Sequence, residues 1–79
     1  MGRKSSHFST IHQPRYKALI KKLIATRMDA GLKQEDVAKM LGLTQPDVSK
    51  IERFERKLDA LELIQWLEAT GSDFKTISS

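Results

Sequence analysis

Between Thr44 and Arg53, residues Gln45, Pro46, Ser49, Lys50 and Arg53 fall at helical spacing on one side of a short stretch and gather amide, hydroxyl and cationic groups there. Such groups read base edges in a DNA major groove. An amide pairs with adenine N6 and N7, an ammonium donates to guanine O6 or N7, and Pro46, which has no donor, offers apolar contact, for instance to a thymine methyl. Catalytic chemistry is not set up anywhere in the chain. There are no paired carboxylates that would share a cleft, no Ser or Cys nucleophile with a His partner, and no Gly-rich phosphate loop, so the chain is not expected to be an enzyme. His7 and His12 have neither a cysteine nor a nearby carboxylate pair to complete a zinc site, and no metal or cofactor is expected.

The stretch that carries this chemistry has its own helix-start signals. Thr44 is the N-cap, Asp47 its capping-box partner three residues on, and Pro46 lies in the first turn, where a missing N–H is tolerated. Because Pro46 has no N–H, the Thr44 hydroxyl is predicted to accept from Asp47. Val48 and Ile51 then point inward, opposite the polar side.

The preceding helix, predicted at about Gln34 to Leu41, packs Val37, Ala38 and Leu41 and stops at Gly42. Lys33 is a poor N-cap, so its start is expected to fray. Gly42-Leu43-Thr44 is a very short link, and two short helices so joined form a helix-turn-helix arrangement.

Upstream, Pro14 suits the first turn of a helix running to about Ala30 and ending at Gly31. Its stripe is Tyr16, Leu19, Ile20, Leu23 and Ile24, and the next position in the series is Arg27. A charge there either snorkels to solvent or meets an acid from another element. Lys17, Lys21 and Lys22 lie off the stripe, as a solvated face or as phosphate contacts.

Downstream, Asp59 caps a helix of roughly Ala60 to Ala69, closed by Gly71. Leu61, Ile64 and Leu67 make its stripe, and Leu63 and Trp66 widen the apolar arc beyond one core contact. Either Phe74 and Ile77 fold back over them, or Leu63 and Trp66 form a dimer interface.

Seventy-nine residues make one small domain with a modest core and little room for a regulatory module. With no cysteine, that core relies on apolar packing alone, which fits a reducing cytoplasm. No apolar run approaches the roughly 20 residues of a membrane span, and Met1 to Thr10 lack a signal-peptide centre, so a soluble intracellular protein is expected. That first segment is polar and basic, and residues 1–13 are read as an N-terminal arm preceding a domain at 14–79. The net charge of +4 conceals an asymmetry: residues 1–33 hold eight basic side chains against Asp29, while the remainder holds six against nine acids. One basic end suits a polyanion laid along one surface.

Gln34, Ala38, Gly42, Val48 and Ile51 match in type and spacing the pattern of the phage-repressor and Cro-like helix-turn-helix family, often called the XRE family. The resemblance covers about Pro14 to Phe74, and Ile11-His12-Gln13-Pro14, Ile51-Glu52-Arg53 and Glu55-Arg56-Lys57-Leu58-Asp59 also look like stand-alone bacterial regulators of that family. It implies an all-α fold, a compact bundle of four to five short helices like the lambda-repressor DNA-binding domain, that binds operator DNA as a homodimer. It further implies a buried ion pair between Arg27 and Glu52, and a bracing contact from Gln34 to Gln45. Phe54 departs from the family's usual Gly in a loop that often needs left-handed backbone, and Pro46 replaces a polar residue, so base preference cannot be copied from relatives.

These observations lead to the expectation of a sequence-specific transcriptional regulator of the repressor type. Gln45, Pro46, Ser49 and Lys50 would face bases, and Gln34, Thr44, Arg53, Arg56 and Lys57 would hold phosphates. The rival is a protein-interaction module, an antitoxin-like or coactivator-like bundle using its apolar fourth helix, which would leave the basic half idle.

Overall fold

Pro14 at the first turn opens a 16-residue helix, α1, at Pro14–Asp29, and four shorter helices follow: α2 at Gln34–Leu41, α3 at Gln45–Glu52, α4 at Ala60–Thr70 and α5 at Phe74–Ser78. The computed structural model describes residues 10–78, and among these there is no strand. The arm expected at residues 1–13 lies outside the described residues except at its end, where Thr10–His12 form a 3-10 turn beside α1.

The core is built from every helix. Ile20 and Leu23 of α1, Val37, Ala38 and Leu41 of α2, Val48 and Ile51 of α3, Trp66 and Leu67 of α4 and Ile77 of α5 are buried together with Leu58. Tyr16, Leu19 and Ile24 pack partly buried around them. Small Ala38 lies at the centre of α2, which packs on both α3 and α4.

The turn between α2 and α3 depends on Gly42 at φ 73°, a left-handed conformation that a Cβ disfavours. Leu43 N–H donates to the Ala38 carbonyl at 2.8 Å and Gly42 N–H to that of Lys39 at 3.3 Å, which closes the end of α2. The same double closure ends α1 at Gly31 and α4 at Gly71. Expected fraying at the start of α2 is prevented by Asp36, whose Oδ2 accepts from the Lys33 N–H at 2.8 Å and so supplies half of a capping box.

Helix α4 is rotated from the register its apolar stripe suggests. Trp66 is 0% exposed, and its Nε1 donates to the Leu23 carbonyl at 3.1 Å in the heart of the domain. Leu63 packs partly buried against the same core. Leu61 and Ile64, expected inside, are instead 62% and 52% exposed. Burying the largest apolar side chain and satisfying its indole N–H outweighs burying two smaller ones. Trp66 therefore cannot form a dimer seam, and that expectation is corrected. Of the terminal residues expected to fold back, Ile77 does so and Phe74 stays exposed.

Candidate nucleic-acid interface

Helix α3 is fixed at both ends. At its start, Thr44 Oγ1 accepts from the Asp47 N–H at 3.3 Å, while Asp47 Oδ2 accepts from the Thr44 N–H at 3.0 Å and from the Thr44 hydroxyl at 2.9 Å. These bonds to Thr44 hold the Asp47 carboxyl below the usual carboxylate range. The Thr44 hydroxyl, read from sequence as a phosphate contact, is thus already engaged as a cap.

The far end of α3 closes as the other helices do, but without glycine. Phe54 N–H donates to the Ile51 carbonyl at 3.1 Å and Glu55 N–H to that of Lys50 at 2.8 Å, with Phe54 at φ 62°. A bulky residue there is strained. The ring is held nonetheless: it packs against the core, and Lys17 Nζ of α1 lies 5.3 Å from its centroid. Tyr16 of α1 secures the following residues, its hydroxyl oxygen accepting from the Leu58 N–H at 3.0 Å.

Between these ends, Val48 and Ile51 are fully buried and Gln45, Pro46, Lys50 and Arg53 are exposed, with Ser49 half-buried beside them. The polar side of α3 is therefore one continuous outward face. Arg53 folds partly back over the helix end, its Nε donating to the Ser49 carbonyl at 3.3 Å and its Nη2 lying 3.5 Å from Glu55 Oε1.

Beneath this face runs a chain of polar contacts. Arg27 of α1 donates from Nε to Glu52 Oε2 at 2.7 Å and from Nη2 to Oε1 at 3.0 Å, and its Nη1 donates to the Leu32 carbonyl at 2.9 Å. This is the pair that the resemblance implies, with side chains 14% and 7% exposed. Gln34 Nε2 donates to Glu52 Oε1 at 2.9 Å, and Gln45 Nε2 donates to Gln34 Oε1 at 2.7 Å. Gln34, at the start of α2, thus links the ion pair to the first residue of α3. The bond from Gln34 to Glu52 was not evident in the sequence, where Gln34 stood only as a phosphate contact and a brace.

Arg56 and Lys57 lie beyond α3, and only Lys57 is exposed without such a commitment. Arg56 Nη1 and Nη2 donate to Glu62 Oε1 and Oε2, each at 3.0 Å. That paired hydrogen bond raises the Arg56 pKa and holds the Glu62 carboxyl below its ordinary range, helped by the Asp59 N–H that donates to Glu62 Oε1 at 3.1 Å. Sequence reasoning missed Glu62. Its signal was the spacing Asp59-x-x-Glu62, a capping box that places the carboxylate at the first turn of α4, facing the loop.

Among the described residues, no helix is long and apolar enough to cross a membrane, and no three His, Cys, Asp or Glu residues are grouped as for a metal ion. Residues 23–77 match a family model described as helix-turn-helix. A comparison with curated proteins found no match.

Proposed function

We propose, from the premise that this chain belongs to the phage-repressor and Cro-like helix-turn-helix family, that it is a sequence-specific transcriptional regulator that places α3 in the major groove of an operator. The family is one of DNA-binding regulators and not of enzymes, and the chain is a DNA-binding helix-turn-helix protein. The observation that carries the finer reading is the division of α3: Val48 and Ile51 anchor it in the core while Gln45, Pro46, Ser49 and Lys50 stand outward together. In the proposal these four face the bases. Gln34, Thr44, Arg53, Arg56 and Lys57, near the ends of the helix and beyond it, lie along the phosphates.

An operator so occupied is closed to other proteins in the same groove, so repression needs no further module and is the proposed mode of regulation in the cytoplasm. One such helix makes few contacts for tight binding, which favours a homodimer on half-sites about 34 Å apart. Leu61 and Ile64 of α4, both exposed, are apolar side chains that could form its seam.

Selection of bound duplexes from a random pool tests the reading, with a palindromic consensus expected; recovery of unrelated sequences would refute it. On the selected site, Lys50→Ala is expected to lose about 1–3 kcal/mol and relax preference at one base pair. Lys57→Ala is expected to weaken every sequence alike and lower the salt slope by about one. Uniform weakening by Lys50→Ala would move Lys50 to the phosphates.

A further inference from the structure

We infer that Lys17, which lies outside the helix-turn-helix, is a further phosphate contact, and that the ring of Phe54 is the group that positions it; the inference rests on the reading that α3 enters a major groove. The two residues meet because the start of α1 crosses the chain just beyond α3. The Tyr16 hydroxyl accepts from the Leu58 N–H at 3.0 Å, and its neighbour Lys17 has its Nζ 5.3 Å from the Phe54 centroid. Lys17 thus lies against the segment that also carries the exposed Lys57, placed along the phosphates in the proposal above.

What sets Lys17 apart is the kind of partner it has. Arg27, Arg53 and Arg56 each face a glutamate, which offsets their charge toward any second anion. Among the described residues Lys17 has no carboxylate partner, and Glu55, the acid next to Phe54, is taken by Arg53 at 3.5 Å. An aromatic ring carries no net charge: its quadrupole holds an ammonium in place without neutralising it. Lys17 therefore keeps its full charge on a side chain whose freedom is already reduced, so less is lost when an anion orders it. Phe54 gives the second indication. At φ 62° it is strained, where glycine closes α1, α2 and α4 without strain. Glycine at that position would offer Lys17 no ring. A duplex carries one negative charge per about 1.7 Å of its axis, so a cation held beside the end of a helix in its groove meets phosphate.

The experiment measures affinity for the selected operator and for a random duplex across a salt series, at a temperature where every variant is folded. Lys17→Ala is expected to lower the slope of log affinity against log salt by about 0.9 on both duplexes, about an eightfold loss near 0.1 M salt. Lys39→Ala, which removes the same charge from an exposed position on α2, is expected to change the slope far less. Phe54→Leu is expected to weaken binding by about 2- to 12-fold, the cost of ordering one freed side chain, and to add no loss in the Lys17→Ala background. In the unaltered protein, proton NMR is expected to place the Lys17 ε-methylene upfield, shielded by the ring. An unshielded methylene, or a Phe54→Leu loss that persists without Lys17, would overturn the role of Phe54. A slope that falls in Lys57→Ala but not in Lys17→Ala beyond the Lys39→Ala control would overturn the contact and leave the placing of α3 intact. Wild-type binding by the Lys17, Lys50 and Lys57 variants alike would refute that placing, and the inference would fall with it.

Discussion

Two arginine–glutamate pairs bracket the far end of α3, and they differ in what surrounds them. Arg27 and Glu52 join α1 to the last residue of α3, with side chains only 14% and 7% exposed, and Glu52 also holds Gln34. Arg56 and Glu62 join the loop after α3 to the first turn of α4, with Arg56 33% and Glu62 12% exposed. Both are bidentate. The inner pair has little water to replace a lost partner, whereas the Arg56 guanidinium reaches solvent. Similar bonds therefore have different consequences: the inner pair holds Gln34 and, through it, Gln45 on the outward side of α3, while the outer one fixes the path of the chain between helices.

Breaking the inner pair should have the largest effect. Glu52→Gln is expected to cost about 3–5 kcal/mol, because Arg27 is left without its countercharge in a mostly dry site. Urea denaturation measures it, and an unchanged midpoint would mean that water compensates Arg27 as readily as it does a surface arginine.

Phe54 sits on the segment between the two pairs and sharpens the contrast. Phe54→Ala keeps a Cβ at φ 62° and loses the ring that packs on the core and lies under Lys17, while Phe54→Gly loses the ring but removes the strain. The glycine variant is expected to be more stable than the alanine variant by about 1–2 kcal/mol. Equal stability would show that the loop relaxes to an ordinary conformation once the ring is gone.

Arg56→Ala should come next, at about 1 kcal/mol, near the upper end for pairs open to solvent. If it matched Glu52→Gln in thermal denaturation, the distinction between inner and outer pairs would collapse. The smallest expected effect is on pH dependence. Glu62 has its pKa lowered, chiefly by Arg56, so its contribution is present above the usual carboxylate range and is lost as pH falls through and below that range. Stability of wild type over Glu62→Gln should therefore be steady near neutrality and shrink below about pH 4. A difference independent of pH would assign the role of Glu62 to shape and not to charge.

The inner pair was legible because Arg27 interrupts an apolar stripe and the family resemblance implies Glu52 as its partner. The outer pair was not, since Glu62 resembles any acid in a first helical turn and Arg56 any loop cation. Helix boundaries at Pro14, Gly42, Thr44, Asp59 and Gly71 were readable because they depend on local backbone chemistry. The rotation of α4 was hidden for the opposite reason. With Leu61, Leu63, Ile64, Trp66 and Leu67 so close together, two faces are almost equally apolar, and only the three-dimensional position of the Leu23 carbonyl decides between them. In the site, the outward face of α3 followed from periodicity. The bond from Gln34 to Glu52 depends on where the ends of α2 and α3 meet, which spacing along the chain does not encode.

The burial of Trp66 also gives the protein an internal optical reporter. It is the sole tryptophan in the chain, shielded from water and bonded to α1. Its emission is expected to lie at short wavelength and to shift to the red when the bundle opens. Binding of a duplex to α3 should leave that wavelength almost unchanged, so the same cuvette can distinguish a variant that no longer folds from one that folds and no longer binds.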